Sequence, residues 1–403
     1  MPKVVIFGGF GMPNVGDELI LQSLANYYSQ ESEDWQLTAF GGDTSAMSSF
    51  LSGSHRIRMC NYLNEHFWTS VRSEASVVDS GVEKLLTAPE SHMEPYKHAV
   101  LNRALREADV FHIAGGGYLH GGIPHLAASL GYCFEVLQAS NPSAVVIATG
   151  LTWYGMEGHD FGALAPKTTA RLHAALAGST LVDLRDDLGL NKVERLGMEA
   201  QVTCDDLLLW RPPEMCSSPL GEKYALLQVG GSYYDIPGQR EVAISSIAQA
   251  ARLLESSGIR VLPISFCPVD GDSLAVGEVL TKAGIDVPVI EAVALGAEVL
   301  SSLFAHAMLG IGTRLHFAVL CHLVGTPVFS IRVNGAFERL RYHYGVVGAD
   351  GLDNEGDLSD QLAGFVSSCI HEPLVRQPAR QNPEVQHALA VKRAGLERAL
   401  QYA

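Results

Sequence analysis

The chain has 403 residues, 47% of them hydrophobic, and carries 44 acidic against 28 basic side chains, for a formal net charge of −16 at pH 7. That length exceeds what one core normally sustains, so two α/β domains are expected, and the acid excess argues against nucleic acid or an anionic membrane surface as the main partner. No apolar stretch reaches the roughly 20 residues that span a bilayer, and the seven cysteines are scattered without a C-x-x-C pair. Reduced thiols are therefore expected rather than a disulfide framework or a zinc site, and with no leader pattern before the first strand the expected location is cytoplasmic.

In chain order, "KVVIF" reads as a buried strand, and "GGFGMPNVGD" follows it and opens onto the helix-like "ELILQSLANYY". This loop is not a phosphate-binding Walker loop, because Asp17 stands where that loop needs lysine after Gly11 and Gly16. It also fails the dinucleotide fingerprint, because Asn14 takes the third glycine position. Neither ATP nor NAD is expected, and no cofactor is assigned. Asp17 has two readings: a cap for the following helix, or a carboxylate that orients or deprotonates an acceptor hydroxyl. Residues 69–96 carry no readable period and are expected to form a mobile loop.

"DVFHIAGGGYLHGG" places Gly115, Gly116 and Gly117 at a strand end, where a ligand can approach the backbone, although a tight structural turn uses glycines in the same way. His112 lies inside that strand and reads as a core histidine. His120 and His125 lack a third ligand, so no metal is assigned. The strand-like runs "AVVIATG", "TLVDLRDD" and "AQVTC" follow. Arg185 ends one of them and is placed either to bind a carboxylate or phosphate with two prongs or to pair with Asp186 or Asp187. The two aspartates are also cap candidates for a helix that Gly197 closes, and Asp205 and Asp206 sit at the next strand end.

The proline- and serine-bearing stretch 211–223 reads as a linker, after which "YALLQVGGS", "IRVLPISF", "VPVIE", "AMLGIGTR" and "TPVFSI" restart the rhythm. Within "AMLGIGTRLHFAVLCHLVGTPVFSI" a strand ends in a Gly-Thr turn that delivers Arg314, Leu315 and His316 to a helix start, where the dipole and backbone N–H groups favour an anion. The expected architecture is α/β: residues 1–210 as an N-terminal Rossmann-like domain, 211–223 as linker, 224–382 as a second Rossmann-like domain and 383–403 as a helical tail. The two domains are expected to face each other across a cleft, with functional residues just beyond the carboxyl ends of the strands.

The segments "NVGDELIL", "GGGYL", "RDDLGLNKVERLG" with "CDDLLL", and "TRLHFAVLCHLVGTPVFSI" together resemble the polysaccharide pyruvyl transferase family over about residues 4–335. The resemblance implies a GT-B-like fold, phosphoenolpyruvate as donor, and as acceptor a sugar or glycoconjugate, free or lipid-linked, whose two hydroxyls receive the pyruvyl group as a ketal while phosphate leaves. By motif position it implies donor binding by Arg185 and by the turn of Arg314, Leu315 and His316. The chain departs from the family in having Gly189 and Thr313 where serines are common, which bears on acceptor choice. The chemistry fits these residues: two arginines and a helix start suit a donor bearing both phosphate and carboxylate, and an imidazole can protonate its methylene carbon at neutral pH. Asp17, with Asn14, Gly16 and the run Gly115–Gly117, then falls to the acceptor side. Two other readings remain, a GT-B glycosyltransferase using a nucleotide sugar and a non-catalytic anion-binding protein.

Overall fold

The computed structural model describes residues 1–31, 34–42, 57–61, 82–84, 86–87, 95–117, 119, 124–152, 164–187, 189–212, 220–231, 239–331, 347–349, 355–372 and 378–403. Contacts divide the chain into two compact units, one of Met1–Met12, Asp17–Trp210 and Ala388–Ala403, the other of Pro13–Gly16 and Arg211–His387. Each is an α/β unit on a parallel sheet, as the strand–helix rhythm predicts. Among the described residues no helix is long and apolar enough to cross a membrane.

The first sheet contains β1 (Lys3–Phe7), β2 (Gln36–Gly41), β3 (Ile57–Asn61), β4 (Val110–Ile113), β5 (Val145–Leu151), β6 (Leu181–Leu184) and β7 (Gln201–Val202), in the order β3-β2-β1-β4-β5-β6-β7. Its central strands are mostly apolar because helices cover both faces, and β4 and β5 are buried at every position, His112 and Thr149 included. The connecting helices are α1 (Val15–Glu31), α2 (Pro95–Arg106), α3 (Pro124–Ser140), α4 (Pro166–Ala177) and α5 (Leu190–Arg195). Strand order reverses between β1 and β4, which sets the loops after those two strands at the crevice where such sheets bind ligands.

The second sheet contains β8 (Tyr224–Leu227), β9 (Arg260–Ser265), β10 (Ile290–Glu291), β11 (Leu309–Gly312), β12 (Val328–Ile331) and β13 (Val347–Ala349), in the order β10-β9-β8-β11-β12-β13. Its helices are α6 (Gln239–Ser256), α7 (Asp272–Ala283), α8 (Gly296–His306), α9 (Leu315–Val324) and α10 (Glu355–His371), and its order reverses between β8 and β11. A last helix, α11 (Pro383–Leu400), starts among residues of the second unit and ends among those of the first. The strands β2, β3 and β13 have no counterpart among the apolar runs of the sequence. Most of the segment 69–96 lies outside the described residues; within it 82–84 and 86–87 are helical and α2 begins at Pro95.

A buried charge network anchors α11 to the first sheet. The Lys392 ammonium lies 2.6 Å from Asp183 Oδ2 and 2.5 Å from Asp206 Oδ1, with all three side chains 0% exposed. Burial works against the ammonium, but the Asp183 and Asp206 carboxylates outweigh it and hold Lys392 above the ordinary lysine range. Asp206 Oδ2 accepts from Thr149 Oγ1 at 2.8 Å and from the Gly115 N–H at 3.0 Å. With its one proton given to Asp206, Thr149 must accept from His112 Nε2 at 2.7 Å, so His112 Nδ1 accepts from the Tyr28 hydroxyl at 2.8 Å. Gly150, at φ +62°, is required here: a Cβ would stand 2.6 Å from the Asp206 carboxylate.

Replacing Lys392 with methionine leaves two buried carboxylates uncompensated, and is expected to lower the unfolding free energy by about 3–5 kcal/mol, read by urea denaturation. Burial also pushes the His112 imidazole down to about 4 from its ordinary 6.5. Between those values the unfolded chain binds more protons than the folded one, so stability is full above the upper value and falls as pH drops toward the lower, by about 3 kcal/mol for this group. His322, likewise pushed down to about 4 by burial, acts in the same direction. Denaturation across this range should show the loss, and a His112→Gln variant should show a flatter dependence.

Candidate functional site

The loop after β1 is packed inward. Phe10 is fully buried and folds back on Gly8, where a Cβ would meet its ring at 2.5 Å. The Gly11 N–H donates to Glu18 Oε1 at 2.6 Å, so this amide is spent within the loop. Helix α1 begins at Val15, and Asn14 Oδ1 accepts from the Gly16 N–H at 3.2 Å. Asn14 is therefore the cap, and the reading of Asp17 as cap is corrected: Asp17 is the third residue of the helix, where a carboxylate still favours the dipole. The Asp17 carboxylate is half-buried beside Gly9, whose Cβ would lie 3.1 Å from Oδ2. The Val15 N–H donates to the carbonyl of Phe266, just beyond β9, at 3.0 Å.

The sequence around β11 explains how the start of α9 is seated. Gly310 and Gly312 carry no side chains because Phe317 occupies that space, and a Cβ on Gly312 would overlap its ring. Phe317 in turn packs edge-on against Phe266 and Phe304, with centroids 5.7 and 5.3 Å away. Gln228, the residue after β8, accepts from the Thr313 and Arg314 N–H groups at 3.2 and 2.9 Å, while Thr313 Oγ1 accepts from the Gly230 N–H at 2.8 Å. The two strand ends on either side of the reversal are thus tied together.

Arg314 is the extended residue that precedes α9, and its side chain is only 6% exposed. It donates from Nε and Nη2 to Asp272 at 2.8 and 2.6 Å, and from Nη2 to Asp270 at 2.9 Å. The turn is therefore not the surplus of positive charge that its sequence suggests, because the buried Asp272 and the partly exposed Asp270 balance the guanidinium. His316 sits half-buried in the first turn of α9 with Gly16 against its ring, so closely that a Cβ on Gly16 would overlap the imidazole. The "NVGD" and "TRLH" motifs meet at this contact, and Leu315, between Arg314 and His316, is half-buried.

Arg185, at the end of β6, is also buried and paired. It donates from Nη1 to Asp205 Oδ2 at 2.9 Å and from Nε to Thr152 Oγ1 at 2.5 Å, while Asp186 Oδ2 stands 3.9 Å from Nε. The closest partner is thus Asp205, on the next strand end, with the adjacent Asp186 as a longer ion-pair partner. Neither Asp186 nor Asp187 caps α5 through its side chain, because Gly189 holds that position. The glycine run after β4 approaches protein rather than solvent at its first two positions. Gly115 gives its N–H to Asp206, and Gly116, at φ 152°, accepts from the Thr152 N–H at 3.2 Å; Gly117 is half-buried. Sequence reasoning missed Gln228, Thr152 and Asp272; Asp272 follows "VLPISF" by a few residues, and a carboxylate just past a parallel strand is the signal that marks it.

The family model described as polysaccharide pyruvyl transferase matches residues 14–335. No match to the chain is found among curated protein sequences. The UDP-GlcNAc 2-epimerase from Neisseria meningitidis bound to UDP-GlcNAc is similar in structure, at TM-score 0.58 and 10% identity over 98% of this chain and 100% of that one. The UDP-GlcNAc 2-epimerase from Methanocaldococcus jannaschii has TM-score 0.57 and 12% identity over 98% and 100%. HepE from Anabaena in complex with UDP-glucose has TM-score 0.55 and 12% identity over 100% of both chains. These likenesses establish a GT-B-like fold.

Alanine at position 16 is compatible with the helix but not with the present place of the His316 ring. Gly16→Ala is expected to fold with a midpoint within a few degrees of wild type while shifting the His316 imidazole resonances. Unchanged resonances, assigned with a His316→Gln variant, would show that the ring does not rest on this glycine.

Proposed function

The chain belongs to the polysaccharide pyruvyl transferase family, and from that premise we propose that it moves the pyruvyl group of phosphoenolpyruvate onto two hydroxyls of a sugar or glycoconjugate, releasing phosphate. The observation that carries this reading is the contact of His316 with Gly16 at the start of α9, beside the rigidly held Arg314. It sets an imidazole, an oriented guanidinium and a helix N-terminus within one turn of chain at a strand-order reversal, a placement suited to an anionic donor.

In this reading Arg314 and Arg185 hold the carboxylate and phosphate of the donor, with Leu315 flanking them. His316 protonates the methylene carbon, which becomes the methyl group, as positive character grows at the neighbouring carbon. One acceptor hydroxyl adds there, phosphate departs, and a second hydroxyl of the same sugar closes the ketal. Of the two hydroxyl protons, one restores His316 and the other leaves with phosphate. Asp17 orients the acceptor hydroxyl or takes its proton, with Asn14 and Gly16 on the same loop and Gly115, Gly116 and Gly117 shaping the acceptor side. The buried free thiols Cys133, Cys204, Cys267, Cys321 and Cys369 are in keeping with a reducing, cytoplasmic setting.

The test compares phosphate release from phosphoenolpyruvate, with a panel of free and lipid-linked glycosides, against nucleotide release from UDP-sugars. Phosphate release with a pyruvate ketal in the product mass spectrum is expected; nucleotide release without it would replace this reading by a nucleotide-sugar transferase. His316→Ala is expected to lower turnover by about 10² to 10⁴ with little change in donor affinity. A rate within a few-fold of wild type would remove His316 from the acid role.

A further inference from the structure

We infer that Asp272 is a positioning residue that sets the geometry with which Arg314 meets an oxyanion, an inference that rests on the donor reading above. Asp272 is the first residue of α7 and is 0% exposed. Its Oδ2 accepts from Arg314 Nε at 2.8 Å, from Gln228 Nε2 at 3.1 Å, and from the Phe266 and Cys267 N–H groups at 3.1 and 3.0 Å. Its Oδ1 accepts from Arg314 Nη2 at 2.6 Å and from the Gly231 N–H at 3.2 Å. These donors come from the segments that follow β8, β9 and β11, so one carboxylate gathers three strand ends.

A carboxylate has about four lone-pair sites, and this one is saturated, which leaves it no freedom to turn. The two parallel bonds to Nε and Nη2 then fix the plane of the Arg314 guanidinium. The backbone of Arg314 is referenced to the same group, because Gln228 accepts from the Thr313 and Arg314 amides while donating to Asp272. Asp270 contributes differently: its side chain is 40% exposed and accepts from Nη2 at 2.9 Å, without the Nε–Nη2 fork that Asp272 makes.

Charge and positioning predict opposite signs for one variant. Asp272→Asn removes a negative charge next to Arg314, which by Coulomb attraction alone should tighten binding of a multiply charged anion. If Asp272 positions Arg314, the amide breaks the two-bond fork and binding weakens instead. Calorimetry of phosphoenolpyruvate with the full chain is expected to show a Kd at least tenfold higher for Asp272→Asn, and no further loss when Arg314→Lys is combined with it beyond that of Arg314→Lys alone. A lowered thermal midpoint with donor affinity unchanged or tightened, or losses that multiply in the double variant, overturns the inference and leaves the donor reading standing. Absence of phosphoenolpyruvate binding by the wild-type chain overturns both. Should Asp272→Asn fail to fold, Gln228→Met takes its place; a several-fold loss of affinity is expected, and an unchanged Kd overturns the inference.

Discussion

The ammonium of Lys392, closed in between Asp183 and Asp206, is the constraint on which the first unit depends. A buried carboxylate without a counter-charge costs several kcal/mol, and here two of them stand at neighbouring strand ends. Once neutralised, Asp206 becomes a fixed acceptor that holds the Gly115 amide and, through Thr149 and His112, reaches Tyr28 on α1. The turn after β4 and the helix after β1 are thereby referenced to one group. The second unit uses the same device in a different cast: Asp272 gathers the amides of Gly231, Phe266 and Cys267, and its cation is Arg314. In both, the amides just beyond parallel strands need partners once buried, and a carboxylate supplies several at a time.

The strand–helix rhythm was legible because central parallel strands are covered on both faces, so "VFHI", "VVIATGL" and "LGIG" stand out as apolar runs. Edge strands were not. β2 is "QLTAFG", with polar residues at its first and third positions, and β3 and β13 are short and gain their strand form from pairing with β2 and β12. The turn of Arg314 and His316 could be found because Gly325, at φ +81°, and Pro327 punctuate the helix that follows. What surrounds it could not, since Asp272 and Gln228 are neighbours only after β8, β9 and β11 have aligned. Arg185 shows the same limit: sequence proximity pointed to Asp186 and Asp187, whereas the closest carboxylate is Asp205 on the adjoining strand end. The cap of α1 is hidden for a local reason: the helix starts at Val15, two residues ahead of Asp17, so the capping oxygen belongs to Asn14.

A protein with a formal charge of −16 cannot recruit an anion by its overall field. Arg185 and Arg314, moreover, each carry a carboxylate partner within 3 Å. An arginine held in this way acts through the direction of its fixed N–H bonds more than through net attraction, which suits planar, doubly bonded oxyanions better than diffuse negative charge.

The order of the chain gives the Lys392 anchor a consequence in time. Asp206 and Lys392 are 186 residues apart, and nearly the whole second unit lies between them. At a translation rate of about 5–20 residues per second the carboxylates wait about 10–40 s on the ribosome for their counter-ion. Through that interval the nascent first unit has its sheet strands but lacks the Lys392 counter-charge of Asp183 and Asp206. The last helix then acts as a latch, completing the older half of the molecule only after the younger half has been made.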